Sequence, residues 1–264
     1  GVVDGWFGRT DVAVPRLEAA LAIATELGLL EDAFRARANL TNALDLQGRR
    51  DEAVEVARQG IVASERSGLE VIHGNLLRGN AVDALVSMGR WGEARAMAER
   101  ALDWAPSGIP FVNAALGLAI VETETSAGEA AARLLGRLFL ELETVPDVQF
   151  AVPAYQAAAS LALWRGDVAD AVRAIDAAWT RVRDSEDWPN AARTAAALLA
   201  VADARARIAR ARRDVAGLAS TRAWADDVLR RATRLVEPVG APHDAWVRRE
   251  VHADTRAHRA RDGH

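Results

Sequence analysis

The chain has 264 residues, half of them hydrophobic and 27% charged, a composition typical of a globular protein with a core. Its net charge of −4 gives no overall positive field that would draw it to nucleic acid or anionic lipid. The absence of cysteine excludes a disulfide scaffold, thiolate metal sites and thiol catalysis. The sequence has no signal peptide and no apolar run of the ~18 residues that span a bilayer, so we expect a soluble, cytoplasmic protein.

A short glycine phrase recurs along the chain. GRRDEA spans residues 48–53 and GRWGEA spans residues 89–94, while GRTDVA at 8–13 and GDVADA at 166–171 fill the same role. With SAGEAA as a further copy, alanines recur at steps of 40, 41, 36 and 41 residues, at Ala13, Ala53, Ala94, Ala130 and Ala171. A blurred sixth copy begins near Asp214. Fixed periods of about 40 residues are typical of helical repeat proteins.

Each repeat is predicted to contain two helices, because apolar residues recur at helical spacing on both sides of the glycine. The glycine suits a left-handed helix end, and the alanine five residues later allows two helices to approach closely. The pattern predicts an all-α solenoid of about twelve antiparallel helices without a sheet. The single domain would cover residues 1–264, with repeats at 1–28 (partial), 29–68, 69–107, 108–146, 147–187 and 188–264 (degenerate). An irregular helical domain that echoes itself is the alternative.

One segment, ANLTNALDLQGRRDEAVEVARQGI, resembles the tetratricopeptide repeat in its Gly48, Ala53 and Gly60. The period is longer than that family's 34 residues, and Thr41 and Val82 stand where the family usually has its other glycine. The longer period, the link SERSGLE and the stretch ALLAVADARARIARARRDVAG resemble the helical-repeat region of large bacterial signal-transduction ATPases. These include LuxR-type transcriptional regulators of the maltose-regulator kind and cyclase-associated relatives.

That resemblance implies a longer protein with a nucleotide-binding domain before the solenoid and often a DNA-binding helix-turn-helix after it. This chain has no phosphate-binding loop and no lysine to complete one, so the resemblance implies no ATP hydrolysis here. Since the chain starts at Gly1 within a repeat, we expect it to be a fragment. The first complete helix, with Leu17, Leu21 and Ile23, would then be partly uncovered and would fray or self-associate.

Catalytic and metal-binding patterns are absent from the sequence. The histidines lack the spacing of a helical zinc site, and no G-x-S-x-G nucleophile motif occurs; they are His73, His243, His252, His258 and His264. The basic stretches 204–214 and 247–261 are interpreted as solvated helix faces rather than nucleic-acid sites, because no aromatic stacking pattern accompanies them. We therefore predict a non-enzymatic protein without a catalytic residue, metal or cofactor, and without direct contact with nucleic acid or membrane.

The predicted binding site is the concave groove lined by the first helix of each repeat. Its candidate residues are Arg35, Asn39, Asn42, Asp45, Asn80, Asp83, Gln156 and Ser160. Amides that both donate and accept hydrogen bonds suit a peptide backbone or a sugar hydroxyl. Asn39 and Asn80 could equally be structural, bonding a neighbouring helix.

The predicted function is that of a sensor or oligomerisation module in a bacterial regulatory protein, with a partner chain or a small inducer in the groove. A stand-alone protein–protein adaptor is one alternative. A helical enzyme or enzyme-accessory domain is the other.

Overall fold

A computed structural model describes residues 10–105, 107–125, 128–144, 147–183 and 187–236 of the protein. Within these ranges every regular element is helical and no strand occurs. The all-α prediction is therefore confirmed. The glycine of the first phrase, the basic stretch 247–261 and four of the five histidines lie outside the described residues.

The described residues form eleven helices and one short π-helical turn. The helices are α1 (Thr10–Glu26), α2 (Leu30–Leu46), α3 (Arg50–Ser67), α4 (Asn75–Ser87), α5 (Trp91–Asp103), α6 (Gly108–Thr125), α7 (Glu129–Leu142), α8 (Val148–Trp164), α9 (Val168–Val182), α10 (Trp188–Arg212) and α11 (Val215–Val236). The π-helical turn, Glu70–Gly74, leads directly into α4.

The recurring glycines occupy equivalent turns between helices, as predicted. Gly48, Gly89 and Gly166 have φ angles of +78°, +72° and +76°, a left-handed conformation that strains side chains with a Cβ. In each turn the next amide bonds back to a carbonyl five residues earlier. The Arg49 N–H, for example, donates to the Leu44 carbonyl at 2.9 Å. These bonds satisfy helix-end carbonyls that would otherwise lack a partner.

The blurred sixth copy has the same turn without the glycine. Arg213, between α10 and α11, is the only non-glycine residue with a positive φ in the described part of the chain, at +56°. The Asp214 N–H donates to the Ala209 carbonyl at 2.8 Å, as in the glycine turns. The repeat pattern therefore locates this boundary correctly. Arg213 occupies the left-handed conformation there, which is unfavourable for a residue with a Cβ.

The alanine series is correct at four positions and wrong at one. Ala13, Ala53, Ala94 and Ala171 are each 0% exposed, so their small side chains lie where helices approach closely. Ala130 is exposed, whereas Ala131 is 0% exposed. Because Ala131 is the last letter of SAGEAA, it corresponds to the buried alanines, and the step from Ala94 is 37 residues rather than 36.

Consecutive helices pack against each other within two compact units. Helices α1 to α6 with most of α7 form the N-terminal unit; α8 to α11 with the first residues of α7 form the C-terminal unit. Leu44, Leu85 and Val121 belong to the core of the former, and Ile175 and Leu198 to the core of the latter. The sequence, by contrast, predicted a single domain over residues 1–264.

The first helices of successive repeats also pack side by side. In the N-terminal unit α2 contacts α4 and α4 contacts α6, while in the C-terminal unit α8 contacts α10. This second set of contacts, added to those between consecutive helices, is the arrangement of a helical repeat stack. In the N-terminal unit these first helices, α2, α4 and α6, thus form one layer.

The apolar residues of α1 are less exposed than predicted. Leu17 is 5% exposed and belongs to the N-terminal core, and Leu21 packs against that core. Of the three residues predicted to be uncovered, Ile23 is the exposed one, at 58%. The predicted partial exposure of this face is therefore wrong for Leu17, whereas Leu21 is half-buried.

None of the helices in the described ranges combines the length and the apolar character needed to cross a membrane.

Candidate functional site

The open side of α2, α4 and α6 carries three rows of equivalent residues. One row is Glu31, Ile72 and Ile109; the second is Arg35, Leu76 and Asn113; the third is Asn42, Asp83 and Ile120. In each repeat the three residues are four and then seven positions apart, a spacing that places residues of an α-helix on the same side. Ile72 is the exception in structure, since it lies in the π-helical turn that leads into α4. All nine are exposed or half-buried. We call these nine residues the open face.

Amide side chains join the three helices beneath the open face. The Asn80 Nδ2 donates to the Ala38 carbonyl of α2 at 3.1 Å, and the Asn113 Nδ2 donates to the Asn75 carbonyl of α4 at 3.5 Å. A Cβ placed on Gly79 would overlap the Asn113 side chain, so α4 and α6 approach closely because residue 79 is glycine. The spacing of the rows is thus fixed by polar contacts between neighbouring helices.

The π-helical turn before α4 is held by a buried arginine. Arg78 is 4% exposed and its guanidinium pairs with Glu65 at 3.0 Å and Glu70 at 2.7 Å. Two carboxylates compensate the burial of one positive charge, which is otherwise costly. Since Glu65 belongs to α3 and Glu70 to the turn, this cluster fixes the segment that presents Ile72.

His73 links the π-helical turn to α2. Its ring stacks on Phe34 with centroids 4.8 Å apart, and its Nε2 lies 3.0 Å from the Glu31 carboxylate. The Glu31 side chain is 68% exposed, so one edge of this pair faces solvent. The contact positions the first row of the open face, and it gives His73 a packing role.

Three of the predicted groove residues lie on the open face. Arg35, Asn42 and Asp83 are exposed at equivalent positions of α2 and α4. Asn39 lies beside them but is half-buried, and its Nδ2 donates to the Arg35 carbonyl of its own helix at 2.8 Å. Arg35, Asn42 and Asp83 thus have exposed side chains, and their role in binding stays a prediction.

Two other predicted residues are buried, and their placement on the groove surface is wrong. Asp45 is 8% exposed and its carboxylate pairs with Arg50 at 3.1 Å, which ties the end of α2 to the start of α3. Asn80 is 9% exposed and bonds α2, as described above. Both side chains satisfy buried polar groups between helices, which for Asn80 is the structural role that the sequence also allows.

The remaining two predicted residues belong to the C-terminal unit. The Gln156 Nε2 on α8 donates to the Thr194 hydroxyl on α10 at 2.7 Å, so this amide joins two first helices. Ser160 is half-buried and lies 77 residues after Asp83, which is the sum of two repeat steps. Ser160 is therefore the C-terminal counterpart of the third row.

Sequence reasoning missed the apolar half of the open face. Ile72, Leu76 and Ile109 are 66%, 43% and 56% exposed, yet their apolar character made them resemble core residues. The signal was present in the repeat itself, because Leu76 lies 41 residues after the exposed Arg35. The equivalent residues of the following repeat, on α6, lie a further 37 residues along the chain. The choice of Ala130 instead of Ala131 gave a step of 36 residues and so obscured this equivalence.

Within the described ranges no group of three histidine, aspartate or glutamate side chains could hold a metal ion.

Two arginines of the basic stretch at 204–214 contact other side chains of the protein. Arg207 pairs with Asp203 at 3.3 Å, and the Arg205 guanidinium lies over the Trp224 ring at 6.0 Å. At the glycine turns, hydrogen bonds from Arg49 and Arg90 lower the pKa values of Glu52 and Glu93, respectively. These charged groups stabilise helices and turns.

Comparison with known proteins finds no matching protein-family model and no matching curated protein. The open face itself is therefore the basis for a functional proposal.

Proposed function

We propose that the chain is a non-enzymatic repeat scaffold and that the open face of the N-terminal unit binds a segment of a partner protein. The observation that carries this proposal is the group of exposed apolar residues on the open face: Ile72 and Ile109 at equivalent positions, and Leu76 four residues after Ile72. Clustered exposed apolar side chains with polar neighbours are typical of protein interaction sites. In repeat proteins such surfaces are formed by the stacked first helices.

The chemistry of the open face defines the partner. Its charged residues are Glu31, Arg35 and Asp83, and the exposed Asp32 adjoins them, so the surface carries more negative than positive charge. The Asn42 amide offers both a donor and an acceptor to a peptide backbone. The proposed partner is a segment with apolar side chains next to lysine or arginine.

Selection from a random peptide library displayed on phage tests this proposal. The wild-type chain should select peptides in which apolar residues adjoin basic ones. Binding of these peptides should weaken in Leu76→Ser, Asn42→Ala and Asp83→Ala, while the melting temperature stays nearly unchanged, as expected for exposed positions. Glu99→Ala, an exposed change on α5, is the control and should bind like wild type. Equal binding by the Leu76 and Glu99 variants would reject the open face as the site.

We further propose that this scaffold is the sensor or oligomerisation module of a bacterial transcriptional regulator. The resemblance to the helical-repeat region of signal-transduction ATPases supports this context. In such a protein, occupancy of the open face would change how flanking nucleotide-binding and DNA-binding domains associate. The complete gene sequence tests it, because a phosphate-binding loop upstream and a helix-turn-helix downstream are expected. A gene that encodes neither would favour the stand-alone adaptor.

A further inference from the structure

A shallow depression of about 450 Å³ lies on the outer side of α3, away from the residues of the open face. Three arginines line it: Arg37 from α2, and Arg58 and Arg66 from α3. Glu55 is the only acid in the lining, and the Gln59 Nε2 donates to its carboxylate at 3.0 Å. The lining therefore carries two more positive than negative charges.

Two of these three arginines have no ion-pair partner among the described residues. Arg58 pairs with Glu93 at 2.8 Å. Among the described residues, no carboxylate forms an ion pair with Arg37 or Arg66. Arg66 is exposed and Arg37 is half-buried. Burial lowers the pKa of Arg37, because a guanidinium that has lost part of its hydration has no carboxylate to replace it.

The packing around α3 holds Arg37 in this position. A Cβ on Gly60, in the middle of α3, would overlap the Arg37 Cδ and the Leu77 side chain. Glycine inside a helix costs about 1 kcal/mol relative to alanine, so a packing requirement explains its presence. The Arg37 side chain passes through the space that a side chain at position 60 would occupy, and it contributes to the lining of the depression.

The next repeat shows which groups an arginine at this position binds. Arg78 lies 41 residues after Arg37 and pairs with the carboxylates of Glu65 and Glu70. The residues 41 positions before these two acids are Ala24 and Leu29. The repeat that contains Arg37 therefore lacks the carboxylates that neutralise its counterpart.

We infer that the depression binds a small anion whose carboxylate or phosphate oxygens accept hydrogen bonds from its arginines. Arg37 and Arg66 donate hydrogen bonds to the anion, and Arg58 adds positive charge at the rim. Guanidinium groups bind such oxygens through paired, charge-assisted hydrogen bonds. With Glu55 in the lining and Glu93 paired to Arg58, one positive charge remains in excess, and an anion neutralises it.

Isothermal titration calorimetry of the full chain with pyrophosphate and with citrate tests this inference, at an ionic strength kept constant with sodium chloride. The two probes separate phosphate from carboxylate as the source of the oxygens. At least one should bind saturably. Arg37→Gln and Arg66→Gln should each weaken that binding by about tenfold or more, the magnitude expected for hydrogen bonds to a charged group. Arg100→Gln, which removes an exposed arginine on α5, should bind like wild type.

The Arg66 variant keeps the test valid if Arg37→Gln alters folding, because Arg66 is exposed and is not part of the core. Circular dichroism checks that each variant is folded. The inference is wrong if neither anion binds, or if the Arg66 and Arg100 variants bind with the same affinity. Since the open face shares none of these arginines, either result leaves the peptide-binding test unaffected.

Discussion

Replacement of Gly79 by alanine should separate α4 from α6 and reduce the stability of the N-terminal unit. The new Cβ would overlap the Nδ2, Cγ and Oδ1 atoms of Asn113, which is a residue of the open face. Overpacking of this kind costs about 1–3 kcal/mol. Alanine also regains about 1 kcal/mol of helix propensity, so the net loss should be about 0–2 kcal/mol.

The same substitution should be favourable when the overlapping side chain is removed. In an Asn113→Ala background the Cβ introduced by Gly79→Ala no longer meets the amide, and the gain in helix propensity of about 1 kcal/mol should appear. The two changes should therefore be coupled by about 1–3 kcal/mol in a double-mutant cycle. Gly136→Ala is the matched control, because a Cβ on this exposed glycine of α7 meets no atom within 4 Å. It should stabilise the protein by about 1 kcal/mol.

Urea denaturation followed by circular dichroism gives the free energies of the four proteins in the cycle. Hydrogen exchange at the amides of α4 and α6 then shows whether the loss is located between these helices. If Gly79→Ala has the same effect in the wild-type and Asn113→Ala backgrounds, the two residues do not share a contact. The close approach that fixes the open face would then be refuted.

Three other changes test separate features of the fold. Arg213→Gly should raise the free energy of unfolding by about 0.5–1 kcal/mol, because glycine adopts the left-handed conformation without strain, and a loss measured by urea denaturation would contradict this. Ala131→Leu should cost about 1–3 kcal/mol while Ala130→Leu changes stability by less than about 0.5 kcal/mol, and equal effects in thermal melts would reject the corrected register. Burial raises the pKa of Asp176, so its ionisation destabilises the folded protein. Asp176→Asn should therefore be more stable than wild type at neutral pH, with an advantage that disappears below about pH 3.8; melting curves against pH that run parallel would exclude this effect.

The helices and their turns were predictable because their signals are local. A glycine that needs a positive φ, followed five residues later by a buried alanine, marks the end of one helix and the packed side of the next. The turn at Arg213 could also be located, because the rest of the repeated phrase is recognisable there although arginine stands in the place of glycine. The single error in register, at Ala130, arose because two adjacent alanines fit the phrase and only burial distinguishes them.

The open face was predictable only in part, because residue type is a weak guide to which side of a helix faces solvent. Asn80 and Asp45 are polar but buried, since one bonds a neighbouring helix and the other a helix start. Ile72 and Leu76 are apolar but exposed, at 66% and 43% among the described residues. These outcomes depend on contacts between repeats, which a pattern within one repeat does not contain.

Arg37, which lines the depression, and Leu77, which lies in α4, both pack over Gly60. Both side chains fill the space above Gly60, so the position of one restricts the position of the other. Leu77 is 1% exposed and directly follows Leu76, a residue of the open face, in α4. A well-packed core transmits small displacements because it has few voids that could absorb them. If the proposed anion binds Arg37, we therefore expect it also to restrict the motion of α4, which carries Leu76 and Asp83.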